Sequence, residues 1–238
     1  MKIKKVIIGC MIIGIIIMAP DFQTAMDVLA TKSDEFVLVV DSGHGGPDSG
    51  AVAADGTEEK DLNLAIAKAV AKEAKKYGIK VIMTRTDDVG LYDENDSGKW
   101  SKVKDMKERK RIIDESGADM ALTIHLNSFK EDISVRGAQV FFPKNSSEQL
   151  YEENEQLAKE IQQSLIMGIA DGSNRVAMEK NDILIFRDVK VKTVLVECGF
   201  LSNIDDKNNL KITKFQQKIA VYIIKGIASH FGLNIQKK

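Results

Sequence analysis

The sequence predicts a three-layer α/β/α domain on a mostly parallel sheet of roughly six strands. Three observations carry this expectation. Apolar runs such as residues 36–40 (FVLVV) hold β-branched residues without alternation, as strands covered on both faces do. Segments of helical period separate those runs, and such alternation marks parallel crossover connections. At 238 residues, 44% hydrophobic and 29% charged, the chain suits one domain with a complete core.

After the first strand a helix is predicted over 59–77. Thr57 is its expected N-cap, Leu62, Ile66, Ala69, Val70 and Tyr77 form its apolar stripe, and Gly78 follows its end. IKVIMTR (79–85) reads as the next strand. A polar stretch holding Gly90, Gly98 and Trp100 leads to a helix near 103–116, ended by Gly117. Strands are then expected at 119–125 and 137–142, a long helix at 147–169, and strands at 183–186 (ILIF) and 193–197 (TVLVE). The last helix, near 214–231, opens with Thr213 and Gln216 in capping-box spacing.

The first twenty residues read as a targeting segment. Lys2, Lys4 and Lys5 precede an uncharged, isoleucine-rich run over 6–19, which Pro20 closes. A bilayer span needs roughly 20 apolar residues, so a signal peptide or short signal anchor fits better. Ile7-Ile8-Gly9-Cys10 is reminiscent of a lipoprotein cleavage box, but most of the apolar run follows the cysteine. Residues 21–35 read as a linker, 36–232 as the working domain and 233–238 as a tail. The reading is therefore an exported, extracytoplasmic protein that meets the membrane only through its N-terminal segment. Cys198 is the one cysteine outside the apolar run, so no disulfide framework is expected. A net charge of −1 and the lack of a basic stripe argue against nucleic acid as a partner.

Four polar residues stand where strands or helix starts would hold them rigidly. His44 lies in the glycine-dense turn DSGHGGPDSG, His125 and Glu197 end apolar strands, and Glu59 opens the first helix. In open α/β sheets ligands bind beyond the carboxyl ends of the strands, where all four should gather. Two imidazoles and a carboxylate form a common ligand set for catalytic zinc, with a position left open for water. Each residue also has a bland reading. His44 could be a turn residue, and Glu59 could simply answer the helix dipole. A strand-end carboxylate such as Glu197 is costly unless paired, hydrogen-bonded or beside a metal.

Other motifs carry less. The glycine turn lacks the Lys-Ser/Thr ending of a phosphate loop, and Asp48 occupies the last glycine position of a dinucleotide frame. Asp93, Asn95, Ser97 and Gly98 begin a calcium-loop pattern that fails at Lys104. Trp100 would pack or stack on sugar. His230, in the last turn of the final helix, reads as structural. A Cys198–His125 hydrolase lacks a third residue to orient the base, and strand alternation sends Glu197 and Cys198 to opposite faces.

Taken together, the D-x-GHGG-x-D-x-G turn, the Glu-Lys helix start, TRTDD, TIHLN and VECGFLSN resemble the zinc-dependent N-acetylmuramoyl-L-alanine amidases of the family Amidase_3 over about 36–232. On this resemblance His44, Glu59 and His125 correspond to ligands of Zn2+ and Glu197 to the catalytic glutamate. The implied reaction is hydrolysis of the amide between the muramic acid lactyl group and L-alanine of peptidoglycan. GHGGPDSGAV, VIMTR and ECGFLSN are most similar to the sporulation and germination branch of that family. That branch implies spore cortex maturation through muramic-δ-lactam formation, a location in the forespore intermembrane space or cortex, and a regulatory lipoprotein partner. Two alternatives stay open: a catalytically inactive peptidoglycan-binding module on the same scaffold, and a zinc-dependent deacetylase of cell-wall sugar.

Overall fold

A computed structural model describes residues 35–92, 101–144 and 147–235. The proposed targeting segment, nearly all of the linker, Trp100 and most of the calcium-like loop lie outside the described residues. Six strands form one sheet: β1 (Val37–Ser42), β2 (Lys80–Met83), β3 (Met120–Asn127), β4 (Gln139–Pro143), β5 (Met178–Lys180) and β6 (Lys192–Phe200). Their order is β2-β1-β3-β6-β4-β5. β2, β1, β3 and β6 pair in parallel, whereas β4 runs antiparallel to β6 and carries β5 parallel to itself. The predicted α/β class, strand number and mostly parallel sheet all hold.

The apolar runs without alternation became the central strands because both sheet faces are covered. One face packs α1 (Glu59–Ala74), α3 (Glu148–Ile169) and α5 (Thr213–Phe231) on Leu38, Val40, Leu122, Val194, Val196 and Cys198. The opposite face is covered by α2 (Lys102–Glu115) and a 3-10 turn at Leu184–Phe186, which pack on Val39, Ala121 and Leu195. A short helix, α4 (Ile204–Leu210), follows β6; Asn203 caps it by accepting hydrogen bonds from the amides of Asp205 and Asp206. Among the described residues no helix is long and apolar enough to cross a membrane.

Several local expectations need correction. ILIF at 183–186 is not a strand; Ile185 and Phe186 bury themselves in the 3-10 turn beneath α2. The missing strand is β5, two of whose three residues are exposed, so it carries no apolar signal. The predicted strand 79–85 stops at Met83, and Thr84 and Arg85 turn their side chains to the last two residues of β1, Asp41 and Ser42. Glu58, not Thr57, precedes α1, and the Thr57 hydroxyl donates to Asp55 instead. The final helix already includes Thr213, and Gln216 donates back to the Leu210 carbonyl rather than closing a capping box. Gly78 and Gly117 do sit in the left-handed region just past their helical segments, as glycine at that position allows.

Candidate active site

His44, Glu59, His125 and Glu197 all lie at the carboxyl rim of the parallel strands. β1 delivers His44 two residues past its end, β3 carries His125, and β6 sets Glu197 directly beside His125 in the sheet register. Glu59 is the first residue of α1, which returns from that rim. One donor atom each from His44, Glu59 and His125 lies within 4.8 Å of the others.

Glu59 is the hub. Its Oε1 lies 3.2 Å from His44 Nε2 and 3.0 Å from His125 Nδ1, and it accepts from the amide of Leu126 and from Asn63. Oε2 accepts from the amide of Ala51 at 2.9 Å. Burial alone would push this carboxyl up, but hydrogen bonds from His125 and His44 outweigh it and hold the group far below the usual carboxylate range. Burial likewise opposes protonation of His44, yet Glu59 and Asp48 outweigh it and raise the imidazole. Asp48 Oδ2 is 2.9 Å from His44 Nδ1.

Backbone approach makes this crowding feasible. A Cβ on Gly43 would overlap the His125 ring, and one on Gly50 would fall 2.6 Å from Glu59 Oε2 and 2.7 Å from His44 Cδ2. Both glycines are therefore needed for space. Gly43→Ala should displace the His125 ring and weaken metal affinity at least tenfold, a factor equal to about 1.4 kcal/mol; competition with a chromophoric chelator would measure it.

Glu197 differs from Glu59. Its Oε2 is buried and has no hydrogen-bond partner among the described residues. Burial pushes its carboxyl up to about 7; His125 pulls it down, and the Glu59 charge raises it further. Glu197 lines a cleft of about 330 Å³ together with His44, His125, Met106, Ile183 and Leu195. Cys198 faces the helix-covered core on the other side of β6, with its thiol pushed well above the ordinary value by burial. The Cys198–His125 alternative is thereby removed. His230 sits 3.4 Å from Glu160, outside the site, as its structural reading expects.

Sequence reasoning missed the residues that hold the His44 loop. Arg109, on α2 and 1% exposed, donates to Asp41 at 2.7 Å, Asp105 at 2.5 Å, and the carbonyls of Ser42 and His44 at 2.5 and 2.6 Å. Arg85 donates to the carbonyls of Ser42 and Gly43, and Lys60 to that of Gly46. Three consecutive carbonyls are thus gripped by two guanidinium groups, whose planar forks suit this task. The grip matters because His44 has φ of 60°, a conformation that costs a non-glycine residue of order 1–3 kcal/mol.

The family model described as N-acetylmuramoyl-L-alanine amidase, Amidase_3, matches residues 38–229. The chain belongs to this family. Among known relatives of this amidase, the germination-specific N-acetylmuramoyl-L-alanine amidase of Bacillus subtilis (strain 168) is 36% identical over 196 residues. That match covers 82% of the chain and 79% of the relative. The N-acetylmuramoyl-L-alanine amidase AmiA of Salmonella typhimurium is 29% identical over 235 residues, covering 82% and 76%. Among solved structures, the CwlD amidase from Clostridioides difficile, in complex with the GerS lipoprotein, superposes with a TM-score of 0.77 at 38% identity. It covers 83% of the chain and 99% of that structure. The amidase reading of the GHGG and GFLSN strings is thereby established, and the enzyme is a hydrolase.

Proposed function

We propose that this amidase uses zinc held by His44, Glu59 and His125 to hydrolyse the muramoyl–L-alanine amide of peptidoglycan, with Glu197 as general base and acid. The observation that carries the reading is the convergence of two imidazoles and a carboxylate beside a buried, unpartnered Glu197 oxygen. The donor set fits zinc: nitrogen and carboxylate oxygen ligands, three from protein, are its usual catalytic shell. Carboxylate and amide contacts already orient the donors, as supporting hydrogen bonds do in metal sites. Zinc there supplies Lewis-acid polarisation of the amide carbonyl and acidification of an attacking water.

The chain's own residues do the proton work. Glu197, with a carboxyl near neutral, takes a proton from the attacking water and hands it to the nitrogen of the departing alanine. A base whose pKa lies near the working pH is suited to both transfers. Glu59 stays ionised and keeps His44 and His125 turned toward one point. Arg109 and Arg85 hold the His44 backbone fixed while the substrate binds.

Similarity to the germination-specific Bacillus enzyme and to CwlD supports a role in spore cortex maturation, in the forespore intermembrane space or cortex. The same structure, described as a complex with a lipoprotein, supports a regulatory lipoprotein partner. Digestion of purified peptidoglycan, with products identified by mass, tests the reaction. Free stem peptides are expected. Release of acetate without stem peptides would place the protein among deacetylases, and binding without any product would leave only the binding-module reading.

A further inference from the structure

A second groove, of about 430 Å³, lies at the same rim, and among the described residues it is lined by Val52, Lys130, Ile133, Leu201, Ile204 and Lys207 with small neighbours. Its walls are continuous with the segments that carry the site. Ala51, next to Val52, accepts from the Glu59 amide and donates to its carboxylate. Leu201, four residues past Glu197, donates to the carbonyl of Asn127, two residues past His125. Asn203 then ties the Ile133 carbonyl to the end of β6. The groove is thus built on the same segments that carry Glu59, His125 and Glu197.

The groove and the cleft differ in charge. The cleft holding Glu197 is lined by Asp48, Asp105 and Asp182 against Lys102 and Arg109, and Arg109 is already engaged by Asp41 and Asp105. The second groove has lysines as its only charged lining among the described residues. Lys207 and Lys211 share the single carboxylate of Asp55, which leaves positive charge over. Lys130 is exposed and has no ion pair among the described residues. The floor is apolar, with Val52, Ile133 and Ile204 exposed at 44%, 67% and 60%.

We propose that this groove receives the stem peptide, its carboxylates toward Lys130 and Lys207, while the muramoyl side occupies the cleft with Glu197. The stem peptide carries several carboxylates against the single side-chain amine of its diamino acid, and that net negative charge suits lysines over an apolar floor. In the cleft with Glu197, by contrast, Lys102 faces Asp48 and Arg109 is held by Asp41 and Asp105, so the lining offers the peptide no cation to spare. The proposal rests on the amidase reading and adds the direction in which the substrate lies.

The test compares kcat/KM of the zinc-loaded protein on two substrates. One is N-acetylmuramoyl tetrapeptide; the other is N-acetylmuramoyl-L-alaninamide, which lacks the carboxylates. K130E should lower the tetrapeptide-to-alaninamide ratio roughly tenfold, chiefly through KM, with K130Q giving a smaller fall. K102E, in the other cleft, should leave the ratio where it is in the wild type. A ratio that moves with K102E and not with K130E would overturn the proposal by placing the peptide in the acidic cleft. Equal losses on both substrates in K130E, or no change, would overturn it as well. A wild-type protein inactive on both substrates would instead sink the amidase reading itself, and the proposal with it.

Discussion

Glu197→Gln is expected to keep zinc at one ion per chain while turnover falls roughly 10²–10⁴-fold, the usual worth of a positioned general base. The substitution is nearly isosteric and removes the proton-accepting oxygen without opening the cleft. Its Oε2 makes no hydrogen bond among the described residues, so no structural contact is lost with the charge. His125→Ala is the complementary variant. It removes one of the three converging donors and one of the partners of Glu59 Oε1, so zinc should be lost on dialysis. Metal analysis beside stem-peptide release separates the two effects. An active Glu197→Gln protein would remove that residue from the mechanism, and unchanged zinc in His125→Ala would contradict the ligand set.

Arg109→Met should have the largest effect on stability. The guanidinium lies between Asp41 and Asp105, both buried, and holds two carbonyls of the His44 loop. Removing one partner of a buried charge pair costs about 3–5 kcal/mol because the other charge is left uncompensated. In a domain of this size that lowers Tm by about 10 °C, on the order of 2–4 °C per kcal/mol. Arg109→Lys restores charge but cannot serve four acceptors in one plane, so it should recover only part of the loss. Thermal unfolding of the metal-free proteins gives the comparison. A Tm within 2 °C of wild type for Arg109→Met, against that per-kcal/mol scale, would show that the network is not what holds the loop.

The parts of the fold legible in sequence were those whose pattern comes from burial on both sides. Residues 36–40 and 194–196 read as parts of central strands because no polar residue interrupts those apolar runs. The run 183–186 has the same apolar character but packs as a single 3-10 turn, since four apolar residues satisfy either geometry equally. β5 was invisible because Met178 and Glu179 are exposed at the sheet edge. α4, IDDKNNL, was missed because it is short and polar, and only the Asn203 cap announces it.

At the site, His44, His125 and Glu197 could be found because strand ends in a parallel sheet share one rim. Glu59 could not be separated from an ordinary helix-start acid until its carboxylate was seen between the two imidazoles. Arg109 was missed because an arginine in a charged helix reads as a solvated face. The i,i+4 pair Asp105–Arg109 was the available signal, but a surface pair would look the same. Only the fold shows that this pair is buried against Asp41, the first residue of the GHGG motif string.

Chelator dependence of stem-peptide release tests the central claim most directly. Purified peptidoglycan is digested with the wild-type protein as isolated, after chelation and dialysis, and after zinc is restored. The account predicts free stem peptides in the first, none in the second, and recovery in the third. Release that survives complete metal removal would contradict it.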